Sequence, residues 1–145
     1  MLSQTEENYL KALFKLTYEN NNNEAGTNEL ALTLEVKPAT VNDMLKKLKD
    51  KEFVNYKKYG KITLSGKGKK IALEIIRKHR LWETFLYKKL EFTWDEVHEV
   101  AEQLEHIQSA KLVDKLDEFL DFPEFDHLMI NLPGPHIGGM YWSCL

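Results

Sequence analysis

The sequence predicts a mainly α-helical fold, with an N-terminal winged helix-turn-helix that carries a small β-hairpin wing and a helical domain after it. One observation is that apolar residues recur at helical spacing in successive segments of the 145-residue chain. The other is FVNYKKYGKITLS, residues 53–65, which alternates β-forming and polar residues about a turn at Tyr59-Gly60. Three helices followed by a hairpin, across residues 5–64, are the order that a winged helix requires.

The N-terminal helices have recognisable starts. Residues 5–20 carry an apolar stripe and an acidic first turn that suits the helix dipole, and the polar run ENNNNEAG follows as a loop. Thr27 is the expected N-cap of a short second helix. Pro38, whose fixed φ suits a first helical turn, begins a third helix that runs to about Lys51. The second and third helices form the helix-turn-helix.

Three more helices are predicted after the hairpin. Ser65 caps a long helix through residue 90, a second helix starts at Thr93 and continues through Ile107, and Ser109 caps a third. The last residues have no Asp, Glu, Lys or Arg after Asp126, and their PGP and GG sequences preclude regular helix. We therefore expect a DNA-binding domain over residues 1–72, a helical domain over 73–126 and an atypical tail over 127–145.

The charge is unevenly distributed along the chain. The net charge is −3, yet residues 36–70 contain eleven lysines against Asp43, Asp50 and Glu52. This excess would attract a polyanion such as nucleic acid, although a solvated lysine-rich surface is an equally open alternative. The chain also lacks an apolar run long enough to span a membrane, has no signal-peptide pattern and has a single cysteine, so a cytoplasmic protein without a membrane partner is expected.

The stretch HEVAEQLEH, residues 98–106, suggests metal chemistry. On one helix, His98, Glu102, Glu105 and His106 would fan across about a quarter of the circumference. Imidazole nitrogens and carboxylate oxygens are ligands for Mn²⁺ and Fe²⁺. His79 and Glu83, spaced i and i+4 on the preceding helix, repeat that chemistry, so a site between adjacent helices is predicted. A merely polar helix face is the alternative.

With these motifs the sequence resembles metal-dependent transcriptional repressors of the diphtheria toxin repressor and manganese transport regulator type. The resemblance covers residues 4–126 and rests on TEENYLKALFKL, VKPATVNDMLKKL, LSGKGKKIA, RKHRLWETFL and HEVAEQLEHIQS. It implies a winged-helix domain, a helical dimerisation domain and metal bound between them. A metalloenzyme is disfavoured because neither H-E-x-x-H nor a nucleophile motif is present, and no small organic substrate is expected.

The resemblance also implies the ligands. Glu102, Glu105 and His106 match the family's principal metal site, and His79, Glu83 and His98 match its ancillary site. Asn8 stands where the family has Asp or Met, which makes it a weaker ligand or simply a helix-surface residue. Lys11 replaces an acid of manganese-type members, which favours two separated sites. Glu102 replaces the sulfur ligand of iron-type members, which favours Mn²⁺ over Fe²⁺.

The same resemblance implies a homodimer that places its recognition helices, residues 38–50, in major grooves about 34 Å apart on a palindromic double-stranded operator. Thr40 is expected to contact a thymine methyl and Asn42 an adenine, whereas the lysines contact phosphates. The full set of expected DNA contacts is Lys37, Pro38, Ala39, Thr40, Asn42, Asp43, Lys46, Lys47, Tyr59, Lys61 and Lys67. A winged-helix regulator that does not respond to metal remains the alternative.

Overall fold

The computed structural model describes residues 2–20, 23–56 and 60–123. Its elements are α1 (Gln4–Glu19), α2 (Thr27–Leu34), α3 (Pro38–Asp50), β1 (Val54–Tyr56), β2 (Ile62–Leu64), α4 (Gly66–Lys89), α5 (Trp94–Leu104) and α6 (Ala110–Phe119). The mainly α-helical class and the N-terminal winged helix-turn-helix are confirmed. The described residues form two compact units that divide after Glu74, inside α4. The predicted tail and Tyr59 lie outside the described residues.

The helix-turn-helix is built from local capping. Glu35 adopts the left-handed conformation with φ 57°, and the Val36 N–H donates to the Ala31 carbonyl over 3.0 Å, which ends α2. Pro38 then occupies the first turn of α3. The expected Thr27 cap is wrong by one residue: Gly26 is the N-cap, because its N–H donates to Glu29 Oε1 over 2.9 Å and Thr27 is already helical.

The wing is anchored to the core of the first unit. Strands β1 and β2 pair antiparallel, with Tyr56 opposite Ile62, and each begins one residue later than the predicted starts at 53 and 61. Ala25 and Ile62 exchange backbone hydrogen bonds of 2.9 and 2.8 Å, which ties the wing to the loop before α2. The large apolar side chains that are fully buried in the described part of this unit are Leu10, Leu13, Leu30, Val41, Leu45, Leu48 and Ile62.

The start of α4 is held against the end of α3. The Ser65 hydroxyl accepts from the Gly68 N–H over 3.0 Å and donates to the Glu52 carbonyl over 2.7 Å, so the expected Ser65 cap is present. The Ser65 N–H donates to the Phe53 carbonyl over 3.0 Å. Gly68 therefore packs directly on the backbone at Phe53.

The second unit has its own core. Leu81 and Trp82 from α4, Ala101 from α5, and Val113 and Leu116 from α6 form a buried cluster. Helix α6 begins at its Ser109 cap, as expected. In the part of the chain that the structure describes, no helix is long and apolar enough to cross a membrane.

Replacing Gly68 with alanine should destabilise the first unit. The added methyl carbon would lie 2.1 Å from the Phe53 carbonyl oxygen, so the backbone must shift, at a cost of about 1 to 3 kcal/mol. Gly66→Ala is the matched control, because nothing lies within 4 Å of a methyl there. Urea denaturation should show a large loss for Gly68→Ala alone; equal stability of the two variants would contradict the packing described.

The carboxylate of Glu6 should stabilise the fold in a pH-dependent way. Burial raises the pKa of Glu6, but hydrogen bonds from Lys51 and Ser3 outweigh burial and hold the pKa below its ordinary value of 4.5. Because the folded pKa is the lower one, the stabilisation is complete above pH 4.5 and disappears as the pH falls through the folded pKa.

Glu6→Gln should therefore lower the free energy of unfolding at neutral pH by about 0.5 to 1 kcal/mol, since Lys51 is half exposed. The difference between wild type and variant should narrow on acidification. Glu19→Gln, on an exposed carboxylate of the same helix, is the control. Urea denaturation at each pH measures the free energy of unfolding of wild type and of both variants. A difference between wild type and Glu6→Gln that does not depend on pH would exclude this role of Glu6.

Candidate metal centre and nucleic-acid interface

Two helices of the second unit bring three potential ligands together. His79 and Glu83 lie one turn apart on α4, both fully buried, with His79 Nε2 3.2 Å from Glu83 Oε2. His98 on α5 places Nδ1 4.0 Å from the same carboxylate oxygen. One ligand atom from each residue lies within 4.8 Å of the other two. The structure thus assembles the three residues that the resemblance assigns to the ancillary site.

The carboxylate of Glu83 is suited to a bound cation. Both of its oxygens are buried, and neither accepts a hydrogen bond from a donor among residues 2–20, 23–56 and 60–123. A buried carboxylate without hydrogen bonds is costly unless a positive charge compensates it. With two imidazoles beside it, the donor set fits a first-row divalent ion such as Mn²⁺, Fe²⁺ or Zn²⁺.

Glu105 connects His79 to the turn after α5. Its side chain is 1% exposed, and its Oε2 lies 2.9 Å from His79 Nδ1. The His79 ring therefore lies between two carboxylates, with Nε2 towards Glu83 and Nδ1 towards Glu105. A carboxylate on the second ring nitrogen commonly orients a metal-binding histidine. The other Glu105 oxygen, Oε1, lies 3.7 Å from His106 Nε2.

The expectation of one continuous helical face is wrong. Helix α5 ends at Leu104 rather than continuing through Ile107, so Glu105 is the C-cap and His106 lies in the following turn. The Ile107 N–H donates to the Leu104 carbonyl over 3.2 Å, and the Ile107 side chain packs on the apolar cluster of this unit.

The remaining predicted ligands lie in more open positions. The side chain of Glu102 is 50% exposed and places Oε1 2.5 Å from His98 Nε2, so Glu102 pairs with a residue of the ancillary set. Asn8 is exposed on α1, in the first unit. Its role as a ligand stays a prediction.

Most of the expected DNA contacts share one property, exposure to solvent. They are Lys37, Pro38, Ala39, Thr40, Asp43, Lys46 and Lys47 around α3, Lys61 before β2, and Lys67 on α4. The Lys67 ammonium also donates to the Lys51 carbonyl over 3.2 Å and lies 4.7 Å from the centroid of the Phe53 ring. Lys67 thus stabilises the first unit and also places a positive charge at its surface.

Asn42 differs from the expectation. Its side chain is buried, with the residue 9% exposed, and its Oδ1 accepts a hydrogen bond from the Tyr56 hydroxyl. The amide thus ties α3 to β1, and the adenine contact of Asn42 stays a prediction. Tyr56 was missed by sequence reasoning, although its inward position follows from strand alternation opposite Ile62.

A groove at this surface was also missed. It has a volume of about 470 Å³ and lies between the starts of α2 and α3 and the base of the wing, lined by Thr27, Asn28, Pro38 and Lys61 among others. Its lining also includes Glu29, whose carboxylate accepts from the Gly26 N–H at the start of α2.

Comparison with known proteins gives consistent matches. Residues 1–62 match the model of the iron dependent repressor N-terminal DNA binding domain, and residues 65–130 match that of the iron dependent repressor metal binding and dimerisation domain. An uncharacterized HTH-type transcriptional regulator of Methanocaldococcus jannaschii is 37% identical over 83% of this chain and 95% of its own length. The HTH-type transcriptional regulator MntR of Bacillus subtilis is 29% identical over 87% of each chain.

Solved structures agree with these sequence matches. A manganese-dependent transcriptional repressor in complex with manganese is 36% identical, with a TM-score of 0.73 over 82% of this chain. The match covers 54% of that repressor, so the present chain spans about half its length.

Glu83→Gln should separate the stability of the metal-free protein from stabilisation by metal. A neutral amide is cheaper to bury, so the variant without metal should be at least as stable as wild type. Mn²⁺ bound by His79, Glu83 and His98, at about 100 times its dissociation constant from that site, should stabilise wild type by about 2.7 kcal/mol, and the variant should lose most of that gain. Thermal unfolding with and without Mn²⁺ measures both quantities.

Glu99→Gln, on an exposed carboxylate of α5, is the control and should keep the full gain from Mn²⁺. An undiminished gain in Glu83→Gln would remove Glu83 from the metal centre.

Proposed function

This chain belongs to the iron-dependent repressor family of DNA-binding, metal-dependent transcriptional repressors, which are not enzymes, and we propose that it represses manganese-uptake genes when Mn²⁺ is bound. The observation that carries the proposal is the cluster of His79, Glu83 and His98, in which His79 and Glu83 are fully buried and the Glu83 oxygens accept no hydrogen bond from the described residues. We place this activity in the cytoplasm.

Manganese is preferred on ligand chemistry, and Fe²⁺ is the alternative. The proposed ligands are His79, Glu83 and His98 in one set and Glu102, Glu105 and His106 in the other, with Asn8 as a possible addition. All offer nitrogen or oxygen and none offers sulfur, which suits the harder ion. The related repressor solved with manganese supports the same choice.

We propose that the operator-binding form is a homodimer assembled through the second unit. Leu112 and Phe119 on α6 are 40% and 58% exposed, and Phe119 lies edge-on to Phe85 with ring centroids 6.0 Å apart. Such an apolar face on a small unit is suited to a second copy. A twofold dimer would present two copies of α3 to major grooves about 34 Å apart on a palindromic operator.

On the DNA side, the exposed residues of α3 divide by chemistry. Thr40 can contact a thymine methyl, while Lys46 and Lys47 neutralise phosphates and make the affinity depend on salt. Asn42, held by Tyr56, fixes the orientation of α3 relative to the wing.

In the second unit, the chain prepares the ligands for the cation. Glu105 orients the His79 ring, and Glu83 contributes a buried negative charge. The bound cation would supply the compensating positive charge and link α4 to α5. If metal tightens operator binding, the operator must tighten metal binding equally, with a coupling of about 1 to 3 kcal/mol.

A gel-shift titration on a manganese-transporter promoter tests this proposal. Mn²⁺ should tighten operator binding by about 10- to 100-fold relative to chelator, and Fe²⁺ and Zn²⁺ tested in parallel rank the metals. His106→Ala should keep the affinity measured in chelator and lose most of the gain from Mn²⁺. Gln103→Ala is the control, because Gln103 is exposed on α5 close to His106 in sequence. This variant should show the same gain in operator affinity from Mn²⁺ as wild type.

Equal operator affinity with every metal and with chelator would leave a winged-helix regulator that does not respond to metal.

A further inference from the structure

Three consecutive side chains of α4 contact the segment that follows α5. Arg77 Nη2 lies 2.6 Å from Asp117 Oδ2 on α6, and Lys78 Nζ donates to the Ile107 carbonyl over 3.2 Å. His79 Nδ1 lies 2.9 Å from Glu105 Oε2. Successive helical side chains point about 100° apart, so these three reach different points on the same segment.

The turn contacted by Lys78 carries two of the proposed ligands. Glu105 and His106 stand between the end of α5 at Leu104 and the cap of α6 at Ser109. The Ile107 carbonyl is the backbone acceptor directly after His106, and it lies beyond the regular hydrogen bonds of α5. The Lys78 ammonium therefore fixes the backbone at the point where the proposed ligands leave the helix.

We infer that Lys78 is a positioning residue for metal binding, which holds the turn of Glu105 and His106 in place without itself touching the cation. The inference rests on the proposed function, since it requires that these residues bind a divalent ion. Ligands bind well only when they are held within about 0.5 Å of their productive geometry, so a tether on their backbone should strengthen binding.

Because Lys78 is positively charged, a positioning role and an electrostatic role predict opposite changes in Mn²⁺ affinity when Lys78 is replaced. A positive ammonium near a cation site repels the cation. If electrostatics alone mattered, removing the ammonium should therefore tighten Mn²⁺ binding. Loss of a tether should instead weaken binding. The two effects have opposite directions, and the measured direction shows which one dominates.

The experiment compares Mn²⁺ affinity of the full chain and three variants, by following the electron paramagnetic resonance signal of free Mn²⁺. Lys78→Met keeps the aliphatic stem and removes the donor, and we expect about 10-fold weaker binding. Lys78→Arg keeps a charged donor and should lie within about 2-fold of wild type. Lys111→Met removes the same charge from an exposed position on α6 and should bind as tightly as wild type or more tightly.

Metal-free unfolding in urea and the visible absorption of bound Co²⁺ separate positioning from general damage. Lys78→Met should keep most of the wild-type unfolding midpoint while its Co²⁺ spectrum changes; if that variant does not fold, Lys78→Gln takes its place. Unchanged or tighter Mn²⁺ binding in Lys78→Met would overturn the positioning role of Lys78 but leave the proposed function standing. Absence of Mn²⁺ binding by wild type would overturn the proposed function and this inference together.

Discussion

The central polar feature of the second unit is a carboxylate buried beside two imidazoles. Glu83 is fully buried on α4, with His79 3.2 Å away on the same helix and His98 4.0 Å away on α5. Burying an anion is costly, and a fold accepts that cost where a counter-charge is supplied. The side chains around Glu83 are those that would hold such a charge, so the cost to folding and the capacity to bind a cation have one origin.

The two units use polar side chains in different ways. In the first unit, polar contacts fix one element to another: the Tyr56 hydroxyl donates to Asn42 in the interior, and Lys51 pairs with Glu6 over 2.6 Å at the surface. The lysines around α3 remain exposed and available to a polyanion. In the second unit, the buried side chains of His79, Glu83 and Glu105 contact one another in a single cluster. The polar contacts of the first unit suit a rigid DNA-binding unit. The polar cluster of the second unit suits a unit whose stability depends on a bound ligand.

Local signals predicted much of this structure. Helix starts at Pro38 and Ser109 follow from capping chemistry, and the hairpin follows from alternation about Gly60, since these signals act between residues close in sequence. The pairing of His79 with Glu83 follows from the i, i+4 spacing of a helix. The start of α2 was predicted less accurately, because either Gly26 or Thr27 could be the N-cap. Gly26 is the N-cap in the structure, and its N–H donates to the Glu29 carboxylate.

The amino-acid sequence by itself determined the order of the elements, the basic character of the α3 and wing segment, and the types of side chain offered to a cation. Only the tertiary structure decided which of those side chains are buried. It placed Glu105 against His79 while Glu102 stayed half exposed, turned Asn42 inward and ended α5 at Leu104. The reason is that burial depends on contacts between residues far apart in sequence, such as His79 with Glu105, which no local spacing encodes.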